Sequence, residues 1–269
     1  MPFTQTSPRI YYEDSGTGEP VLAIMGFGLT SAAFDPLVSA GRSRLRWISY
    51  DHPGTGHSRA GVMAATTARL AAAAVQVLDE LQLDSAHVLG VSLGGAVALE
   101  LALQRPNRVR SLILIATSAD GPLQRGLNVA KIAAVSGRIA SGSMKRRRLW
   151  LAPMLFSEEY IARGPERRIA RPERAPEPSP SALALLGQAV AASFHDRARD
   201  LHRISAPALV LHAQDDPLVP VDNARRLAHG IPRAELQVRA RGGHGFALEY
   251  ADETVAAISD WVSRQMPTP

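Results

Sequence analysis

At 269 residues, 46% of them hydrophobic and 20% charged, the chain fits one large domain or one domain carrying a sizeable insertion, with enough apolar residues for a substantial core. It holds no cysteine, which excludes disulfides, thiolate zinc sites, iron–sulfur clusters and cysteine nucleophiles, and fits a reducing compartment. The net charge of +5 is unevenly spread: residues 121–200 carry 14 Lys+Arg against 7 Asp+Glu, leaving a net of −2 for the remainder.

The first residues, MPFTQTSPRIYYEDSG, lack a basic-then-apolar signal pattern, and no apolar run reaches the roughly 20 residues of a membrane span. A cytoplasmic protein without membrane contact is therefore expected. Strands are predicted at 8–13 (PRIYYE), 20–25 (PVLAIM) and 45–50 (LRWISY), with a helix over 30–40. A long alanine- and leucine-rich helix follows over 66–82, then a buried strand at 86–91 (AHVLGV) and a helix over 94–104. Between these last two lies LGVSLGGAV (89–97), in which Gly90, Ser92 and Gly94 spell G-x-S-x-G. That is the pattern of a strained strand-to-helix turn that exposes a serine hydroxyl, although small residues at such a turn also serve ordinary packing.

A further strand is predicted at 110–116 (RSLILIA), after which the rhythm breaks until about 205. This stretch carries the basic runs KRRRLW (145–150) and RGPERRIARPER (163–174), the proline-rich RPERAPEPSPS (171–181), and apolar patches at 149–156 and 182–194 that suggest short helices. No helix-turn-helix, zinc finger or aromatic-basic platform accompanies the arginines, so no nucleic-acid partner is expected. The basic runs form either a solvated face or a positive rim favouring an anionic substrate. Strands resume at 207–212 (PALVLH) and 234–239 (AELQVR), alternating with helices over 221–230 and 249–264. Strands alternating with helices predict an α/β fold with a mostly parallel sheet covered on both faces. Residues 1–118 and 206–269 form its core, and 119–205 a helical insertion over the sheet.

A serine hydroxyl needs a base to take its proton, and the base needs a carboxylate to fix its tautomer. Open sheets offer sites at the carboxyl ends of their strands. Asp215 and Asp216 follow one late strand, and His244, between glycines, follows the next. The resulting order, Ser92, Asp216, His244, is that of the α/β-hydrolases. The chain resembles that superfamily over essentially its whole length through five stretches: IMGFG (24–28), DHPGTGHS (51–58), the Ser92 turn, QDDPLVP (214–220) and GGHGF (242–246).

The resemblance implies that Ser92 is the nucleophile, His244 the base, and Asp216, the aspartate before a proline, the orienting acid, with Asp215 and Asp120 as alternatives. It also implies oxyanion donors at the Phe27 and Leu93 backbone N–H groups and a cap at 119–205. His52 and His57 are expected to shape their glycine-rich turn, and His195 to make a structural hydrogen bond. Many relatives carry His-Gly where this chain has Met25-Gly26, a change expected to alter loop support. Within the superfamily the chain looks most like esterase, enol-lactonase and polyketide-methylesterase members. A serine in the turn speaks against the dehalogenase and epoxide-hydrolase branches, which use aspartate there. The implied activity is cofactor-independent and metal-free hydrolysis of a small or medium carboxylic ester or lactone. The alternatives are C–C bond hydrolysis or perhydrolysis by the same residues, and a non-catalytic small-molecule-binding protein on the same scaffold. No G-x-G-x-x-G, P-loop or H-E-x-x-H motif supports dinucleotide, nucleotide or zinc chemistry.

Overall fold

In a computed structural model of the chain, residues 2–59, 64–121, 152–153, 155–162 and 178–266 are described. Seven strands form one sheet: β1 (Tyr12–Ser15), β2 (Glu19–Ile24), β3 (Leu45–Tyr50), β4 (Ala86–Val91), β5 (Val109–Ile115), β6 (Ala208–Ala213) and β7 (Ala234–Arg239), in spatial order β1-β3-β2-β4-β5-β6-β7. Only β1 runs antiparallel to its neighbour; the remaining pairs are parallel.

The period-two alternation of strand side chains divides the core in two. Leu22 and Ile24 of β2, Val88 of β4, and Leu112 and Leu114 of β5 face helices α2 (Thr67–Glu80) and α3 (Leu93–Gln104). Val21 and Ala23, Leu89, and Ile113 and Ile115 point the other way, onto α1 (Asp35–Gly41) and the C-terminal helix Ala251–Arg264. These central strands are apolar on both faces because both faces are covered, as parallel sheets require.

The first strand departs from expectation. It begins at Tyr12, where its partner β3 ends, in the register Tyr12↔Tyr50 to Ser15↔Trp47. Upstream, the chain leaves β3 and makes an isolated antiparallel bridge between Tyr11 and Phe3, while the Ile10 N–H donates to Thr4 Oγ1 and the Tyr11 N–H to Ser58 Oγ. The helix expected over 30–40 is a 3-10 turn (Ser31–Phe34) followed by α1, with Pro36 set in its first turn. The helix expected over 249–264 is likewise divided, a short turn (Phe246–Glu249) preceding Ala251–Arg264.

The stretch 119–205 falls between β5 and β6. Of its described residues, Glu158–Ala162 form α4 and Ala182–Phe194 form α5. Ser181 caps α5 by accepting the Ala184 N–H. The basic runs at 145–150 and 163–174, and most of the proline-rich stretch, lie outside the described residues. Among the described residues no helix is long and apolar enough to cross a membrane.

Several histidines are buried in this fold. Burial, the largest cause in each case, pushes His52, His87 and His195 down to about 4. In the unfolded chain a histidine titrates near ~6.5, so below that pH the unfolded state binds protons that the folded state refuses. Their contribution to stability is full above about 6.5 and declines as the pH falls towards 4. The urea midpoint is therefore expected to drop steadily between pH 7 and about pH 4.5. A flat midpoint across that range would contradict burial of these rings in neutral form.

Candidate active site

Ser92 stands where β4 ends and α3 begins, at φ 55° and ψ −120°, a backbone conformation L-residues rarely adopt. Neighbouring contacts hold it there: the Ser92 N–H donates to the Ile115 carbonyl at 2.9 Å, and Thr117 Oγ1 donates to the Ser92 carbonyl at 2.7 Å. The glycines make the turn possible. A Cβ on Gly90 would run into the Gly94 carbonyl and the Gly95 Cα, and one on Gly94 into the Ile24 carbonyl of β2. A serine at a helix N-cap ordinarily turns its oxygen onto the helix. Ser92 makes no such bond, which frees its Oγ to lie 2.9 Å from His244 Nε2.

His244 arrives on the loop after β7. Gly242, at φ 135°, bends the chain there in a way a side chain would resist. Its Nδ1 is 2.8 Å from Asp216 Oδ2. A carboxylate only accepts, so Nδ1 carries the proton, and Nε2 of the neutral ring is left to accept from the Ser92 hydroxyl. Asp216 follows β6, and its second oxygen accepts the Leu218 and Val219 N–H groups at 2.8 and 2.9 Å. Burial alone would raise its pKa; the charge and hydrogen bond of His244, the Val219 N–H and the charge of His212 outweigh it and hold the carboxyl below its ordinary value. Asp216 is thus kept ionised beside the imidazole. The three side chains form one hydrogen-bonded line, with His244 and Asp216 buried and Ser92 half-buried.

The alternatives go elsewhere. Asp215 is exposed, and Asp120 is buried in an isolated bridge with Asp196. His195 Nδ1 meets Thr67 Oγ1 at 3.2 Å, as a structural histidine would. His57 sits in the turn shaped by Asp51, whose Oδ2 accepts the His57 N–H and whose Oδ1 accepts the Ser31 N–H.

Gly26 passes directly over the serine: a Cβ there would stand 3.2 Å from Ser92 Cβ and 3.8 Å from Oγ. Phe27 follows Gly26, and Leu93 opens α3, where the N–H has no acceptor within the helix. The two expected oxyanion donors therefore belong to segments on either side of Ser92. Met25 is buried in the core between the sheet and α1, and its carbonyl accepts from His52 Nε2 at 3.0 Å. His52 thus braces the Met25-Gly26 loop from below, a role that reading it as a turn residue did not anticipate. His212 is a second supporting residue without a motif. Fully buried, its Nε2 donates to the Val219 carbonyl at 2.8 Å and lies 3.5 Å from Asp216 Oδ2, steadying the turn that carries Asp216.

Two described segments of the insertion close around this line. Leu185 of α5 packs on Phe27, and Gln188 Oε1 accepts the Gly28 N–H at 2.8 Å. Leu155 joins the same cluster, its carbonyl accepts the Gly245 N–H at 2.7 Å, and Glu249 accepts the Ser157 N–H at 2.9 Å. Among the described residues no three His, Asp or Glu side chains converge as a metal site.

A parallel sheet with a serine at such a turn, and a histidine and an acid on the loops after its last two strands, defines a class of hydrolase. The model of the alpha/beta hydrolase fold matches residues 19–250, and the chain belongs to this family. It is 33% identical over 248 residues to a putative carbamate hydrolase, RutD, of Azorhizobium caulinodans, covering 90% of this chain and 91% of that one. It is 30% identical over 270 residues to a 2-hydroxy-6-oxononadienedioate/2-hydroxy-6-oxononatrienedioate hydrolase of Dechloromonas aromatica, covering 95% and 91%. Among solved structures, a thermophilic esterase from Thermogutta terrifontis with malate bound superposes with a TM-score of 0.80 at 25% identity, over 98% of this chain and 97% of that one. The protein is an enzyme of the α/β-hydrolase type.

Proposed function

We propose that the protein is a cofactor-independent serine hydrolase that cleaves a small or medium carboxylic ester or lactone through an acyl-enzyme. The observation that carries this reading is the line from Ser92 Oγ through His244 to Asp216, at 2.9 and 2.8 Å. Ser92 Oγ attacks the carbonyl carbon as its proton passes to His244 Nε2. The Phe27 and Leu93 N–H groups receive the negative charge that develops on the carbonyl oxygen. Collapse of the tetrahedral intermediate expels the alcohol, which takes the proton back from His244. Water, deprotonated by the same histidine, then releases the acid and restores Ser92. Asp216 keeps the imidazole in the required tautomer and stabilises its charged form. Residues 119–205 act as a cap whose segments at 155–157 and 181–188 bound the substrate site.

The Dechloromonas relative supports a second reading, C–C hydrolysis of an oxo-dienedioate by the same three residues. A panel of p-nitrophenyl esters, methyl esters, lactones and a 2-hydroxy-6-oxo-dienoate, with Ser92→Ala as blank, separates the two. Turnover of esters or lactones well above the blank is expected; turnover of the dienoate alone would replace the ester reading with the second. The net +7 of residues 121–200 further suggests an anionic substrate. For an anionic ester kcat/KM should then fall steeply as salt rises, attraction being screened over ~10 Å at 0.1 M, while a neutral ester of equal size gives a flat line. Neutralising Arg146, Arg147 and Arg148 together should flatten the anionic line; parallel responses of the two esters would leave the basic runs as solvated surface.

A further inference from the structure

Gln188 lies on α5 in a helix that is otherwise almost wholly apolar, ALALLGQAVAASF, and is 1% exposed. Its Oε1 accepts the Gly28 N–H from a loop 160 positions earlier in the chain. A backbone N–H only donates, so this bond determines which end of the amide is oxygen. The other end, Nε2, is buried and makes no hydrogen bond among the described residues. Leucine or methionine would fill the same space without sequestering an unused donor. The glutamine occupies the seam where α5 rests on the Gly26–Gly28 loop, one turn along from Leu185 and its contact with Phe27.

We propose that Gln188 is a substrate-recognition residue whose Nε2 donates to an acceptor oxygen on the acyl side of the substrate, close to the reacting carbonyl. This rests on the serine-hydrolase reading, which puts the carbonyl oxygen between Phe27 and Leu93. The acyl side follows from the loop that Gln188 holds. The segment Leu155–Ser157 stands on the loop of His244, the residue that returns a proton to the departing alcohol. Gln188 stands on the Gly26–Gly28 loop, its Oε1 on the N–H next to Phe27, so the acceptor oxygen in its reach is one near the carbonyl that the Phe27 N–H receives. The chemical class favoured is an acyl group bearing an ether, hydroxyl or keto oxygen near its carbonyl. Through Oε1 the same side chain holds the loop that presents the Phe27 N–H, so recognition and loop placement are joined in one amide.

The test is a matched pair, p-nitrophenyl methoxyacetate and p-nitrophenyl butanoate, which differ by an oxygen in place of a methylene. Each kcat/KM is divided by the hydroxide rate constant of the same ester, to remove intrinsic reactivity. The wild-type enzyme is expected to favour the methoxyacetate about tenfold on that scale, the size of one well-made hydrogen bond. Gln188→Leu and Gln188→Glu should bring the ratio close to one. The glutamate variant retains an acceptor for the Gly28 N–H, so its loss of preference reports the donor rather than the loop. If a carboxylate at this depth prevents folding, Gln188→Met is read beside Gln188→Leu, and a Ser92 labelling rate equal to wild type shows that the Phe27 loop is intact. A wild-type ratio near one, or variants that lose rate equally on both esters and keep the wild-type ratio, overturns the proposal. Fluorophosphonate labelling of Ser92 in every variant is run alongside. A lost ratio with labelling intact supports Gln188, and a retained ratio with labelling intact rejects it. Absence of label from wild-type Ser92 rejects the serine-hydrolase reading and this proposal with it.

Discussion

Ser92→Ala is expected to lower kcat by about 10⁶, to a residue of activity supplied by binding and the oxyanion donors alone. The size of the loss follows from how much of the site converges on one oxygen. The turn at φ 55° forfeits the usual N-cap bond and turns Oγ towards His244 Nε2 at 2.9 Å, with Gly26 close above it. Alanine keeps the Cβ and the Ile115 and Thr117 bonds, which involve only the Ser92 backbone, so the fold should survive with its melting temperature little changed. The check is kcat against the best ester of the panel, with melting measured beside it. A variant that folds and retains more than about a hundredth of the rate would remove Ser92 from the nucleophile's role.

Asp216→Asn is expected to cost about 10⁴ in kcat, the loss seen when a triad histidine is left with an amide partner. Here the amide can present its NH₂ to His244 Nδ1, which favours the tautomer with the proton on Nε2 and leaves no base for the serine. The Leu218 and Val219 N–H groups bind only one of the two carboxylate oxygens, so the turn itself can persist in the variant. Asp215→Asn, at an exposed position, should stay within a few-fold of wild type. If Asp215→Asn or Asp120→Asn were dead while Asp216→Asn stayed active, the assignment of the acid would be wrong. Because Asp216 is held below the ordinary carboxylate value, the acid limb of the rate profile should not report its titration near pH 4.

Much of this was legible from residue order. The central strands announce themselves as apolar runs because both their faces are buried, and Ser92, Asp216 and His244 lie on loops where glycine or proline breaks a run just after a strand. The ends of β1 were less legible, since they are set by where β3 stops and by the bridge to Phe3 and the Thr4 and Ser58 side chains that take up the chain upstream. The roles of His52, His212 and Gln188 could not be read from their neighbours in the chain. Each acts through one hydrogen bond to a backbone group, on Met25, Val219 and Gly28 respectively, and two of those lie 27 and 160 positions away. A glutamine in an apolar helix is the one visible hint, and only the packing of α5 on the Phe27 loop gives it meaning.

The most direct test of the central claim is covalent. The protein is incubated with a fluorophosphonate, its intact mass recorded, and the modified residue located by peptide mapping. A single adduct on Ser92 is predicted, formed much more slowly in Asp216→Asn and not at all in Ser92→Ala. An adduct that persists in Ser92→Ala, or that maps to another residue of the wild-type chain, would contradict the account.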